Sequence, residues 1–247
     1  MHARVGGPAT STSRHDAPAI VLVHGLVISS RYMVPTAERL ALHHRVLAPD
    51  LPGFGRSTGT HAILRVPELA DALLEWMDAC ELGRAVLVGN SLGCQVVASL
   101  AARHPGRVVA AVLAGPTIDP LSGGLLAQIA RALIDVPREK LSLIPHWASD
   151  FLRAGVRRSW TTLRYALADR IEERLPAMHM PTLVVRGSRD PLVSLAWAER
   201  VTALLPHGRL LAIEGGPHAV NYSSAEELAE MIGEFLRTTS ARSAVPG

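Results

Sequence analysis

The chain has 247 residues, 48% of them hydrophobic and 4% aromatic, and its 25 Lys+Arg against 22 Asp+Glu leave a formal charge of +3. High apolar content with little net charge excludes a disordered chain, and 20 Gly with 17 Pro in no short period exclude a collagen-like fibre. The length suits one domain, or one domain carrying an insertion. No apolar run approaches the ~18 residues of a membrane span, and 1–16 shows no apolar signal core. Cys80 and Cys94 lack both a disulfide-scaffold count and C-x-x-C spacing, which fits a reducing cytoplasm. The basic residues are arginines scattered among acids, with Lys140 the only lysine, so no nucleic-acid stripe is expected.

Residues 1–18 read as a flexible arm, with at most one weak edge strand. Ala19–Val23 (AIVLV) is a short, continuous apolar run, the mark of a strand buried on both faces. Val34–Leu42 reads as a helix and Arg45–Ala48 as a strand closed by Pro49. In Pro67–Cys80 the apolar residues Leu69, Leu73, Trp76 and Met77 make a helical stripe, with Pro67 suited to the first turn. Strand Ala85–Val88, helix Leu92–Arg103 and strand Val108–Ala114 follow, then strand Thr182–Arg186, helix Leu195–Leu205, strand Arg209–Ile213 and helix Ala225–Leu236. This alternation predicts an α/β protein with a parallel sheet covered on both faces.

The segment 116–176 interrupts the alternation. It has no buried-strand pattern and reads as helices punctuated at Gly123-Gly124, Pro137, Pro145 and Gly155, an insertion placed as a lid over the sheet edge. The core is then 19–115 together with 177–237, and 238–247 is a flexible tail. The lid holds eight arginines, read as surface charges balanced by Asp135, Glu139, Asp150, Asp169, Glu172 and Glu173.

Gly89-Asn90-Ser91-Leu92-Gly93 follows a predicted strand and opens a predicted helix, the context that G-x-S-x-G requires. Two glycines let the turn close, and the serine hydroxyl is left exposed beside a helix N-terminus that favours developing negative charge. A serine hydroxyl needs a base and a partner that orients the base. Asp190 and His218 each follow a strand on a short glycine-bearing loop, giving the chain order Ser91, Asp190, His218. Asp119, after strand Val108–Ala114, is a second candidate acid. Among the eleven histidines, His43, His44, His104 and His207 fall in predicted turns. Cys94 reads as a small buried hydrophobe. No H-E-x-x-H or clustered His/Cys spacing is present, so neither a metal nor a cofactor is expected.

With Val23-His24-Gly25, Asp50-Leu51-Pro52-Gly53-Phe54-Gly55-Arg56-Ser57 and Pro217-His218 added, the sequence resembles the α/β-hydrolase superfamily from Ala19 to Leu236. The resemblance implies a mostly parallel, doubly covered sheet of the α/β-hydrolase type with a helical lid insertion. It also implies Ser91 as nucleophile, His218 as base and Asp190 as its orienting acid. The backbone N–H groups of Leu26 and Leu92 would form the oxyanion hole, and His24 would shape the loop carrying the first of them. A serine at the elbow argues against the dehalogenases and epoxide hydrolases of this fold, which carry Asp there.

Val27, Ile28, Val193 and Val220 are expected to border the serine from three loops. Trp147, Phe151 and other apolar lid residues would complete the pocket, with Trp147 and Trp160 the first candidates for substrate selection. The leading expectation is a serine hydrolase acting on a small or medium apolar carboxylic ester, with activity rising through a histidine pKa near 6.5 if unshifted. The alternatives are a carbon–carbon hydrolase of ring-cleavage products, which Gly89-Asn90-Ser91 resembles but Leu92, Cys94 and Ala219 do not, and a ligand receptor or cofactor-free lyase on the same fold. No feature fixes an oligomeric state.

Overall fold

The computed structural model describes residues 1–8, 18–58, 62–120 and 123–243, without the side chains of 240–243. Seven strands form one sheet in the order β1-β3-β2-β4-β5-β6-β7. They are β1 (Ala3–Gly6), β2 (Ala19–Val23), β3 (Val46–Pro49), β4 (Ala85–Asn90), β5 (Val108–Ala114), β6 (Thr182–Gly187) and β7 (Gly208–Ile213). Only β1 runs antiparallel, pairing with β3. The weak edge strand anticipated in the arm is β1, and most of the remaining arm, 9–17, lies outside the described residues.

Successive side chains along a strand face opposite sides, so a run apolar at every position needs cover on both. Val21, Val23, Leu87 and Leu113 pack with α2 (Val66–Ala79), α3 (Leu92–Arg103) and α6 (Leu195–Leu204). Ile20, Leu22, Val86, Val88 and Val112 pack on the other side with α1 (Val34–Leu40) and α8 (Ala225–Ser243). Helix α8 continues past Leu236, so most of the segment expected to be a flexible tail is helical, and 244–247 lie outside the described residues.

The segment 116–176, expected to be a lid, contains α4 (Leu125–Asp135), a 3-10 turn at Val136–Arg138 and α5 (Leu143–Ala168). Helix α5 breaks at Gly155, whose φ of 76° and ψ of 157° suit a residue without Cβ. Pro145 does not interrupt a helix as expected. It lies in the first turn of α5, where its missing N–H costs nothing. Asp150, 2% exposed, is not a surface charge. Its carboxylate accepts from Ser29 N–H (2.9 Å), Ser29 Oγ (2.6 Å) and Arg31 Nη2 (3.0 Å), tying α5 to the loop after β2. Asp169 and Glu172 do pair with lid arginines, Asp169 with Arg174 in a two-pronged bond at 2.7 Å and 2.7 Å.

Candidate active site

The elbow between β4 and α3 is as tight as the sequence requires. Ser91 sits at φ 55° and ψ −122°, a conformation that an L-residue adopts only under constraint. A Cβ on Gly89 would lie 2.5 Å from the carbonyl carbon of Gly93, and one on Gly93 would lie 2.2 Å from the Val23 carbonyl oxygen. The latter neighbour is backbone of β2 and has nowhere to go. Gly93→Ala is therefore expected to destabilise the fold by about 3 kcal/mol through overpacking; a urea unfolding midpoint equal to that of wild type would refute this account of the elbow.

Tyr32 joins two parts of the site. Its hydroxyl donates to Asn90 Oδ1 (2.7 Å) and accepts from Gly25 N–H (2.7 Å), so the loop after β2 is fastened to the residue preceding Ser91. Burial raises the Tyr32 phenol pKa well above its ordinary value, so it stays a neutral donor. His24 supports the same loop. Its Nδ1 donates to Gly25 O (2.8 Å) while Nε2 accepts from Leu51 N–H (2.9 Å), an arrangement that requires the neutral ring. Its pKa is lowered by burial, consistent with that state. In this loop Val27 holds φ 59°, rare for a β-branched residue, and Leu26 precedes it on the wall of the cavity.

Asp190 and His218 meet because two loops pack backbone against backbone. A Cβ on Gly187 would lie 2.3 Å from the carbonyl oxygens of both Gly216 and Pro217. Arg189 N–H donates to Gly216 O at 2.9 Å. Asp190, 4% exposed, accepts on Oδ1 from the N–H groups of Leu192 (2.7 Å) and Val193 (3.1 Å). Its Oδ2 faces His218 Nδ1 at 2.8 Å. The carboxylate thus keeps a proton on Nδ1 and leaves Nε2, buried and without a hydrogen-bond partner, as the ring's reactive end. Burial alone would lower the His218 pKa, but the Asp190 carboxylate, with Asp135 and Glu139 behind it, outweighs burial and pushes it up to about 9. The value near 6.5 applies to an unshifted ring, and His218 is shifted upward from it for this reason.

Ser91 and His218 line one cavity of about 560 Å³. Ser91 Oγ is 3.4 Å from Thr117 Oγ1. The walls are mainly apolar and include Leu26, Val27, Ile28, Leu92, Trp147 and Trp160. Trp147 is 47% exposed at the lid side. Val193 and Val220 do not belong to this wall. Both are fully buried, Val193 against the α6 face and Val220 against the α1–α8 face, while their neighbours Leu192 and Ala219 face the cavity. The expectation misses by one residue each time, because Val193 lies in irregular backbone with no fixed alternation and Val220 opens the short helix α7 (Val220–Ser223), whose first residue turns into the core.

Asp119 is not the acid at the histidine. It is fully buried, and its Oδ2 accepts from Ser194 Oγ (2.6 Å) and Ser194 N–H (3.3 Å) at the start of α6. Cys94 is buried, its Sγ within reach of Gly89 O and Ala114 O, and burial raises its thiol pKa. Among the described residues no group of three or more His, Cys, Asp or Glu side chains is arranged to hold a metal ion. No described helix is long and apolar enough to cross a membrane.

Sequence reasoning passed over Thr117, Tyr32, Asp135 and Glu139. Asp135, 6% exposed, and Glu139 line the cavity and are not surface partners of arginines. Burial, opposed by His218 and reinforced by Glu139 and Asp190, raises the Asp135 carboxyl to about 7. Asp135 ends α4 and Glu139 follows the 3-10 turn in extended backbone, and Arg131 and Arg138 beside them in sequence mimic a solvated charged face, so no local signal distinguishes them.

The sequence profile described as the alpha/beta hydrolase family matches residues 20–231. A pimeloyl-[acyl-carrier protein] methyl ester esterase of Xanthomonas campestris pv. campestris is 29% identical over 248 positions, covering 89% of this chain and 95% of its own. Among solved structures, a bacterial membrane phospholipase A aligns with a TM-score of 0.81 at 23% identity, over 96% of this chain and 82% of its own. The enol-lactonase from Burkholderia xenovorans LB400 aligns with a TM-score of 0.75 at 22% identity, over 96% of each chain. At such identities the structures speak to the fold alone. The profile covers the whole sheet from β2 to β7 and all the elements that carry Ser91, Asp190 and His218, and the chain belongs to the alpha/beta hydrolase family.

Proposed function

We propose that this protein is a serine hydrolase that cleaves a small or medium apolar carboxylic ester through an acyl-serine intermediate. One observation carries the reading. His218 is oriented at Nδ1 by Asp190 at 2.8 Å, its Nε2 has no hydrogen-bond partner, and His218 lines the same largely apolar cavity as Ser91. In this reading Ser91 Oγ attacks the ester carbonyl as His218 takes its proton. The imidazolium then protonates the departing alcohol, and water, activated by His218, releases the acid. Catalytic hydrogen bonds are often long before substrate binds, so the Ser91 contact with Thr117 is compatible with this role.

The oxyanion would rest on the N–H groups of Leu26 and Leu92. Leu92 is the first residue of α3, so its N–H has no carbonyl one turn earlier to bond. Each such donor is typically worth about 3 kcal/mol in the transition state. The apolar wall favours an uncharged acyl or alcohol group, and the methyl ester esterase named above supports ester chemistry. Free thiols at Cys80 and Cys94 support a reducing, cytoplasmic setting. The test is a fluorophosphonate probe followed by intact-protein mass, with nitrophenyl esters of increasing chain length in parallel. One adduct at Ser91 and turnover of the shorter apolar esters are expected; an unchanged mass refutes the nucleophile.

A further inference from the structure

The lid is fastened to both loops that carry the histidine and its acid. Glu139 Oε1 accepts from Ala219 N–H (2.6 Å) and Glu139 Oε2 from Ser223 Oγ (2.5 Å), while Asp135 Oδ1 accepts from His218 N–H (3.3 Å). From the same stretch of lid, Arg131 Nη1 donates to Pro191 O (2.8 Å) and Arg138 Nη1 to Arg189 O (2.8 Å), the two carbonyls that flank Asp190. Four side chains within 131–139 therefore hold the backbone of 189–191 and 218–219. A lid that merely covered the pocket would need apolar contacts only. Two carboxylates here face an otherwise apolar cavity, and ionising a half-buried acid beside another is costly.

The geometry points to 131–139 as a positioning clamp: Asp135 and Glu139 fix the His218 loop, Arg131 and Arg138 fix the Asp190 loop, and His218 and Asp190 align fully only with the lid docked. The clamp also contributes charge. The ionisable groups that face His218 are Asp190 from the loop after β6 and Asp135 and Glu139 from the lid, and all three favour its imidazolium. The lid pair thereby links lid docking to the protonation of His218. None of the four side chains needs to touch the reacting atoms. They act through the residues they hold.

The inference rests on the serine–histidine reading of the site, so its test includes a measurement that needs no turnover. Asp135→Asn and Glu139→Gln keep an oxygen acceptor for the backbone and remove the charge. In both, the NMR titration of the His218 ring is expected to move acidward by about one pH unit. Glu139→Ala and the Arg131→Gln/Arg138→Gln double variant loosen the loops, and kcat is expected to fall about tenfold or more with KM changed far less. An unmoved His218 titration in both amide variants, or unchanged kcat in both loosened variants, overturns the clamp. A failed serine label with a shifted His218 titration refutes the hydrolase reading and spares the clamp's electrostatic part.

Discussion

Ser91→Ala is expected to lower kcat/KM on a short nitrophenyl ester by roughly 10⁴-fold or more and to abolish fluorophosphonate labelling. The loss follows from position. Ser91 carries the one elbow side chain that is not fully buried, because Gly89 and Gly93 have none and Asn90 and Leu92 are buried. Alanine offers no atom for the ester carbonyl to bond. The fold should be nearly indifferent: the hydroxyl makes one long contact, 3.4 Å to Thr117. The strained φ of 55° is borne equally by either residue. Thermal unfolding within about 1 kcal/mol of wild type is therefore expected, which separates loss of chemistry from loss of structure. The same variant divides the alternatives. A ligand receptor would bind unchanged without Ser91, and a lyase using His218 as base would retain turnover of its own substrate. Wild-type ester hydrolysis by Ser91→Ala would remove the acyl-serine step altogether.

The strands and the elbow were legible because each is dictated by its own residues. Ala19–Val23 and Val108–Ala114 are apolar without interruption, a pattern that no half-exposed element sustains, and both strands have those bounds. The Gly–Gly frame of Ser91 is readable for the same local reason. The site's supporting groups answer to other rules. Tyr32 reaches Asn90 across 58 residues of sequence, and Glu139 reaches Ala219 across 80. No periodicity encodes such pairings. Val193 and Val220 show the matching error in the pocket: hydrophobic residues near the right loops, but turned into the core while Leu192 and Ala219 face the cavity. The acid pair on the lid shows it in charge. Asp135 has Arg131 and Arg138 at helical spacing on either side, yet those arginines bind loop carbonyls, and Asp135 and Glu139 bind loop N–H groups.

Asp190→Asn is expected to cost about 10⁴-fold in kcat at neutral pH while leaving KM close to wild type. The carboxylate Oδ2 only accepts, so Nδ1 must hold the proton and Nε2 presents its lone pair. An asparagine can place its NH₂ group there, moving the proton to Nε2, which then has no lone pair to take a proton from Ser91. The pH dependence changes as well, and its sign follows from the roles. The base must be neutral, so activity of the wild type rises as pH climbs through the His218 pKa of about 9. Without the Asp190 charge the effect of burial, which lowers the pKa, is left opposed only by the weaker lid carboxylates. The residual activity of Asp190→Asn should therefore reach its plateau at lower pH than wild type. Stability obeys the same linkage. A pKa raised from 6.5 to about 9 by folding gives stabilisation that is complete below about pH 6.5 and lost as pH rises through 9. Wild-type thermal stability should decline across that window, and Asp190→Asn should flatten the decline. A variant whose rate profile and stability profile both keep their wild-type midpoints would show that Asp190 does not control the proton on His218.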